Sequence, residues 1–347
     1  MRWPIPPTGG VPTTGAHLSA RALRRKLRGY GLSTEVIDLA WPTWWSEEAD
    51  ASPSARAELR FTLARKLGLD AKVLLEEDEP RFVWRVGSFK NLGASASELQ
   101  RAAIISYATS VARVLIAATP PGPEAKLGAM ELRLRLLRQA PFVGLQNLLS
   151  LAWALGVPVV HLEVFPFPAK QMCAMAVRVE NRHAIFLARE SRFPSQVAYY
   201  LAHELGHIAL GHLSAVPALI DAQDPLSHRD TLDPEEVAAD QYALTALTGM
   251  PEPEVFTEAQ RYSGAGLANA VMNSAASLGI EAGTLALCFG HRTGRWDKVF
   301  AALNRVYPGA QPLAPLINKY AISQVAGGNL SDDNQMYLAS ALGLNNE

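Results

Sequence analysis

Disulfide chemistry, a membrane span and a strong net charge are all missing from this sequence. Only two of its 347 residues are cysteines, Cys173 and Cys288, which is too few for a disulfide scaffold. The net charge of −1 gives no global indication of a nucleic-acid or membrane-surface partner. No apolar run reaches about 18 residues without a charge or a proline, and the first ten residues lack the hydrophobic stretch of a signal peptide. We therefore expect a cytoplasmic protein that does not contact a membrane.

The rest of the composition is that of a globular protein with a large core. Hydrophobic residues make up 49% of the chain and charged residues 19%, and the length allows two or three domains. Apolar periodicity and Gly/Pro breaks predict a helix-rich α+β fold with a small sheet. Four regions follow from this pattern: a helical region 1–90, a helical connector 91–140, a mixed region 141–250 and a helical region 251–347.

The central motif is H-E-x-x-H, formed by His203, Glu204 and His207. On a helix, residues four apart project from one face, so the two imidazoles can bind the same Zn²⁺ at about 2.0–2.1 Å. Glu204 lies on the adjacent strip of the helix, where its carboxylate can exchange protons beside the metal without ligating it. The alternative is a pair of histidines that only form hydrogen bonds in a core.

A second motif begins at Asp233-Pro234, which predicts a helix start with an N-cap acceptor and proline in the first turn. Glu236 and Asp240 then lie one turn apart on one face of this helix. Zinc with one open position needs a third protein ligand, which Glu236 can supply. Asp240 can accept the free ring N–H of a zinc-bound histidine and fix its tautomer. The alternatives are a capping box for Glu236 and a solvated charge for Asp240.

His212 competes with Glu236 for the position of third ligand. In the metzincin pattern H-E-x-x-H-x-x-G-x-x-H the last histidine comes six residues after the second, whereas here Gly211 and His212 come one residue early. If the helix continues, His212 points about 140° away from His207. That direction favours an outward histidine, or one that contacts a ligand from behind.

At these residues the sequence resembles the ImmA/IrrE family of zinc metallopeptidases. The second motif of that family reads E-x-E-A-N-x-F-A, and this chain departs from it at Ala238, Asp240 and Tyr242 while keeping the first glutamate as Glu236. The resemblance implies a zincin-like peptidase domain over 141–250. It also implies a protein substrate, a helix-turn-helix repressor encoded nearby, whose cleavage relieves repression of a stress, mobile-element or phage-defence operon.

The N-terminal region loosely resembles a lambda-repressor-like helix-turn-helix domain, with predicted helices at 20–30, 33–40 and 54–67. Residues 42–50, where the DNA-reading helix would lie, are acidic and contain proline and tryptophan, which suits base or phosphate contacts poorly. We therefore interpret this domain as degenerate. The alternative function is a DNA- or protein-binding regulator with a structural zinc site.

Basic residues suggest an activator of the proposed peptidase. The predicted helix 20–30 carries five cations without an acid, and a predicted amphipathic helix at 127–137 places further arginines on its polar side. Such groups bind single-stranded DNA through its phosphates. The alternative is that these side chains are ordinary solvated charges. The cations of the two predicted helices are Arg21, Arg24, Arg25, Lys26, Arg28, Arg133, Arg135 and Arg138.

The remaining predictions concern the strands before the zinc helix and the loop after it. Residues 157–164 predict one strand, and 172–179 with 183–188 predict a hairpin about the turn 180–182, whose edge could bind a substrate backbone. Cys173 on this hairpin could fill the open zinc position and inhibit the enzyme. Tyr200, Tyr242 and His183 are candidate oxyanion donors. The polar segment 213–232 predicts a loop or lid.

Overall fold

The computed structural model describes residues 18–83, 98–123, 126–166, 172–214, 218–221, 233–253, 263–325 and 330–344. Within these ranges the chain is helix-rich and contains one small mixed sheet, as the α+β prediction requires. The helices are α1 (Ala20–Gly29), α2 (Thr34–Ala40), α3 (Pro53–Leu67), α4 (Ala71–Leu75), α5 (Glu98–Ala118), α6 (Ala129–Leu137), α7 (Leu145–Ala154), α8 (Pro194–Ala209), α9 (Pro234–Thr248), α10 (Gly264–Leu278), α11 (Ala282–Thr293), α12 (Trp296–Val306), α13 (Ala314–Gln324) and α14 (Asp332–Ala341). Residues 254–262, within the predicted helical region 251–347, lie outside the described residues.

The sheet has four strands in the order β1-β3-β2-β4: β1 (Val159–His161), β2 (Ala174–Val179), β3 (Arg182–Leu187) and β4 (Ala218–Asp221). β1 pairs in parallel with β3, and β2 pairs antiparallel with both β3 and β4. The polar segment 213–232 was predicted as loop, yet it supplies β4. The outer edge of β2 is therefore paired with a strand of the same chain.

Side chains alternate between the two faces of the sheet, as the two-residue period of a strand dictates. On one face, Ala174 and Ala176 join the core that contains α7, α8, α9 and the helices α10 to α12. On the other face, Met175 and Val177 join a core built from α5, the N-terminal helices and α14. The sheet thus lies between the motif-bearing helix α8 and the long apolar helix α5.

Cap geometry explains where two of the N-terminal helices begin and end. Ser33 accepts a hydrogen bond from the Val36 amide at the start of α2, and Gly68 ends α3 with a φ of +68°. The hairpin turn contains fewer residues than predicted, because Arg182 belongs to β3 and pairs with Val179 of β2.

Two predictions on either side of the motif region need correction. Residues 157–164 form a strand only at 159–161. Arg133 is buried rather than on the polar side of α6. Its guanidinium donates to the carbonyl oxygens of Leu247 (2.7 Å) and Gly279 (2.8 Å), where α9 and α10 end.

No single helix in the described ranges is both long and apolar enough to cross a membrane. The pair formed by α10 and α11 passes the same test of length and composition together, but it is bent by 117°.

Candidate metal centre

Helix α8 brings His203 and His207 together in the interior of the protein. Proline in the first turn starts the helix, and the four-residue spacing places the two rings on one face. Their relative exposures are 0% and 1%, and their Nε2 atoms are 3.0 Å apart. Two ligand atoms at about 2.0–2.1 Å from a tetrahedral zinc are separated by about 3.3 Å. The histidine pair therefore comes within a few tenths of an ångström of that spacing.

Helix α9 supplies the third member of the group. Asp233 caps this helix by accepting from the Glu235 amide at 3.0 Å, which leaves Glu236 one position further along the first turn. The two carboxylate oxygens of Glu236 lie 3.5 Å from Nε2 of His203 and 3.6 Å from Nε2 of His207. The structure thus places Glu236 at the histidine pair, as the ligand interpretation requires.

A close approach of the two helices produces this geometry. A Cβ built on Gly206 would lie 3.1 Å from Cβ and Cγ of Tyr242 and 3.2 Å from the carbonyl oxygen of Ala239. An ordinary contact begins near 3.4 Å, so a side chain at this crossing would require its neighbour to shift by a few tenths of an ångström. The glycine inside the motif helix therefore lets α8 and α9 pack closely.

Asp240 lies behind His203, one turn after Glu236. Its Oδ1 is 2.8 Å from Nδ1 of His203, and the Tyr199 hydroxyl donates to the same oxygen at 2.9 Å. A carboxylate at this distance favours the tautomer with the proton on Nδ1, which leaves the lone pair on Nε2, the atom nearest to Glu236 and His207. The sequence analysis missed Tyr199, although it precedes His203 by one turn and stacks on its ring with centroids 6.4 Å apart.

His212 lies behind His207 and not in the ligand group. It belongs to a 3₁₀ turn (His212–Ser214), and its Nδ1 is 2.8 Å from Nδ1 of His207, on the side of that ring opposite Nε2. The His203, His207 and Glu236 donor atoms all lie within 4.8 Å of one another, and His212 is not one of them. This position agrees with the expectation that His212 contacts the ring of His207 on the side away from the donor group.

Glu204 lies between the two histidines in sequence and is 1% exposed. On α8 it is about 100° around the helix from His203, so its carboxylate occupies the strip beside the ligand face. Burial of a carboxylate in a core disfavours its charged form unless partners or a cation stabilise it. A divalent cation held by the adjacent group is a partner of this kind.

Cys173 immediately precedes β2 and is buried. It is absent from the group of His, Cys, Asp and Glu donor atoms that converge in the described part of the chain. Its Sγ instead accepts from Nη1 of Arg189 at 3.6 Å, and its carbonyl oxygen accepts from the amides of Ala188 and Arg189. The structure therefore does not bring Cys173 together with the proposed zinc ligands.

The two candidate tyrosine donors have other partners for their hydroxyl groups. The Tyr242 hydroxyl donates to the Leu127 carbonyl oxygen at 2.7 Å, and burial raises the pKa of this phenol. The Tyr200 hydroxyl accepts from Nε2 of Gln196 at 2.9 Å and is 1% exposed. Both side chains join α8 or α9 to their neighbours in the core.

His183, the third candidate, lies at the start of β3 and lines a cavity of about 490 Å³ beside the C-terminal end of α8. Burial, together with the positive charges of Arg178 and Lys126, lowers the pKa of His183 to about 4. Its ring is therefore neutral at pH 7. Because this cavity contains Ile208, Gly211 and Leu213 but none of the three clustered donors, the structure places His183 apart from them.

The donor set itself fits a metal ion. Two buried imidazoles and one buried carboxylate converge, and the outer nitrogen of His203 lies 2.8 Å from the carboxylate of Asp240. Nitrogen and oxygen donors of this kind suit Zn²⁺ and other divalent first-row ions. The group formed by His203, His207 and Glu236 could thus hold a metal ion.

Comparison with known proteins gives no further assignment: no protein-family profile, curated protein or solved structure matches this chain.

Proposed function

We propose that this chain is a zinc-dependent endopeptidase of the H-E-x-x-H type, with a zincin-like catalytic domain and Glu236 as the third ligand. The observation that carries the proposal is the buried convergence of His203, His207 and Glu236 on one point, with Asp240 behind His203. The three ligands come from two helices whose sequence patterns resemble the ImmA/IrrE family. Three protein ligands leave one zinc position open, as a catalytic site requires.

Each residue of the site has a chemical role in this proposal. Zinc in the site supplies a Lewis acid that polarises a peptide carbonyl and lowers the pKa of water to about 7. Glu204 accepts the proton of the attacking water and later donates it to the leaving amine. Asp240 and Tyr199 hold His203 in the tautomer that presents Nε2. The surrounding core limits the access of bulk water to these groups.

We propose a cytoplasmic protein substrate, a helix-turn-helix repressor encoded nearby, so that cleavage relieves repression of a stress, mobile-element or phage-defence operon. The resemblance to ImmA/IrrE peptidases supports this choice. The prediction that substrate adds to the hairpin edge now has an additional condition, because β4 occupies the outer edge of β2. An extended substrate must therefore displace β4 or pair with the edge that β4 forms among the described strands.

The test is co-incubation of the purified chain with the purified product of the neighbouring repressor gene. The wild type should cleave the repressor, and Glu204→Gln should retain zinc but lose cleavage by at least about 100-fold, the lower range of general acid-base contributions. Glu58→Gln, an exposed glutamate on α3, is the control and should cleave normally. If Glu204→Gln keeps zinc and full activity, the peptidase proposal fails.

The two rival interpretations give different outcomes in the same assay. A regulator with a structural zinc site retains zinc but cleaves nothing under any condition. A metzincin-type enzyme loses its metal in His212→Ala and keeps it in Glu236→Ala. The distances of 3.5 and 3.6 Å from Glu236 to the two histidines support the opposite result for Glu236.

We also propose single-stranded DNA as an activator, now resting mainly on α1. Arg21, Arg25 and Arg28 are exposed and spaced four and three residues apart, so they share one helix face opposite the buried Leu23 and Leu27. Replacement of these three arginines by glutamine should abolish DNA binding. With three phosphate contacts on a single strand, the affinity of the wild type should fall about 20-fold between 50 and 200 mM salt, from a slope of about −0.7 per contact. Wild-type chain that does not bind DNA at low salt would refute this activator.

A further inference from the structure

The backbone turn after α8 returns His212 to the motif helix. The helix ends at Ala209, and Gly211 adopts a φ of +78°, in the left-handed region that favours glycine. A continuous helix would have directed His212 away from His207. The turn instead brings their Nδ1 atoms to 2.8 Å, a hydrogen-bond distance.

Two nitrogens in hydrogen-bond contact cannot both carry a proton or both present a lone pair. A neutral imidazole has one donor and one acceptor nitrogen. If His207 uses the lone pair of Nε2 to ligate a metal ion, its proton must lie on Nδ1. His212 must then accept this proton through the lone pair of its own Nδ1, since that atom is 2.8 Å away.

We propose that His212 is a positioning residue that accepts the Nδ1–H of His207 and thereby presents Nε2 of that ring to the metal ion. The inference rests on the proposed zinc site and extends it to a residue outside the ligand set. Asp240 performs the same task for His203 through a carboxylate. The two ligand histidines are thus held by different acceptors, one anionic and one a neutral imidazole.

The contact through Nδ1 dictates which substitutions preserve the function. The Oδ1 atom of asparagine occupies nearly the position of histidine Nδ1 relative to Cβ, so His212→Asn retains an acceptor. Leucine has nearly the shape of asparagine but no acceptor, so His212→Leu is its matched control. Loss of an outer hydrogen-bond partner typically weakens metal affinity about 10–100-fold.

The test is a chelator competition that measures zinc affinity at constant pH, with the unfolding midpoints of the metal-free proteins measured in parallel. His212→Leu should bind zinc about 10–100-fold more weakly than the wild type, while His212→Asn should remain within about threefold. Because His212 is only partly buried, both variants should fold. In ¹⁵N-histidine-labelled, zinc-loaded protein, a protected Nδ1–H of His207 should be present in the wild type and in His212→Asn and absent in His212→Leu.

The outcomes separate the two proposals. If the wild type binds zinc and both variants bind it equally well, the positioning role of His212 is wrong and the zinc site stands. Equal weakening in both variants, with normal unfolding midpoints, also refutes the acceptor role. A wild-type chain that binds no zinc overturns the proposed function and this inference together.

Discussion

Substitution of Gly206 by alanine tests the helix contact that brings Glu236 to the histidines. Alanine at an interior helix position is favoured over glycine by about 0.8–1.0 kcal/mol. At this crossing, however, the new Cβ would lie 3.1 Å from Tyr242, so α9 must move by about 0.3 Å to restore an ordinary contact near 3.4 Å. Overpacking of a core typically costs about 1–3 kcal/mol. The net change in unfolding free energy should therefore be a loss of about 0–2 kcal/mol.

The same displacement moves Glu236, which lies on α9 about one turn before Ala239 and nearly two turns before Tyr242. Zinc affinity of Gly206→Ala should fall about tenfold, which corresponds to about 1.4 kcal/mol. Denaturant unfolding in excess chelator measures the fold alone, and chelator competition then measures the site. Gly29→Ala is the matched control, because a Cβ there has no neighbour within 4 Å. Stabilisation of Gly206→Ala by about 1 kcal/mol with unchanged zinc affinity would refute the close-packing argument.

Substitutions at three further positions test the roles assigned to Asp240, Cys173 and His183. Asp240→Leu removes the acceptor of the His203 ring proton and should weaken zinc binding about 10–100-fold in chelator competition, whereas Asp240→Asn should bind nearly as well as the wild type; equal affinity in all three would exclude the positioning role. Cys173→Ala should leave zinc content and basal proteolysis unchanged, because Sγ contacts Arg189 and not the donor group; raised basal proteolysis would support an inhibitory thiolate. His183 has a folded pKa of about 4, below its unfolded value near 6.5, so protonation favours the unfolded state and stability should fall as the pH drops through this range. His183→Gln should lack this component of the pH dependence in denaturant titrations, and identical pH profiles of the two proteins would contradict the shift.

The sequence predicted most of the metal group because its geometry is local. The spacing of His203 and His207 gives one helix face, and the Asp233-Pro234 cap sets the start of the next helix and hence the position of Glu236. The close crossing of the two helices, which brings these residues together, depends on tertiary packing and not on local sequence. Gly206 permits this crossing because it has no side chain.

The errors and omissions lie where tertiary contacts override the local pattern. The sequence pattern places Arg133 on a polar helix face, but in the structure this side chain is buried. Its guanidinium donates to carbonyl oxygens at the C-terminal ends of α9 and α10. The positive φ of Gly211, rather than helical periodicity, determines the direction of His212. Strand β4 begins with the short apolar run 218–220, which is too short to stand out within the longer polar segment 213–232, and its pairing with β2 is a tertiary contact.

Zinc stoichiometry of three proteins purified without chelator tests the central claim most directly. Elemental analysis should find about one zinc per chain in the wild type and in Glu204→Gln, and almost none in Glu236→Ala. The reason is that we propose Glu204 as a base and Glu236 as a zinc ligand. Circular dichroism should show that all three are folded. Zinc retained at full occupancy by folded Glu236→Ala, or absent from the wild type after incubation with Zn²⁺, would contradict the proposed metal centre.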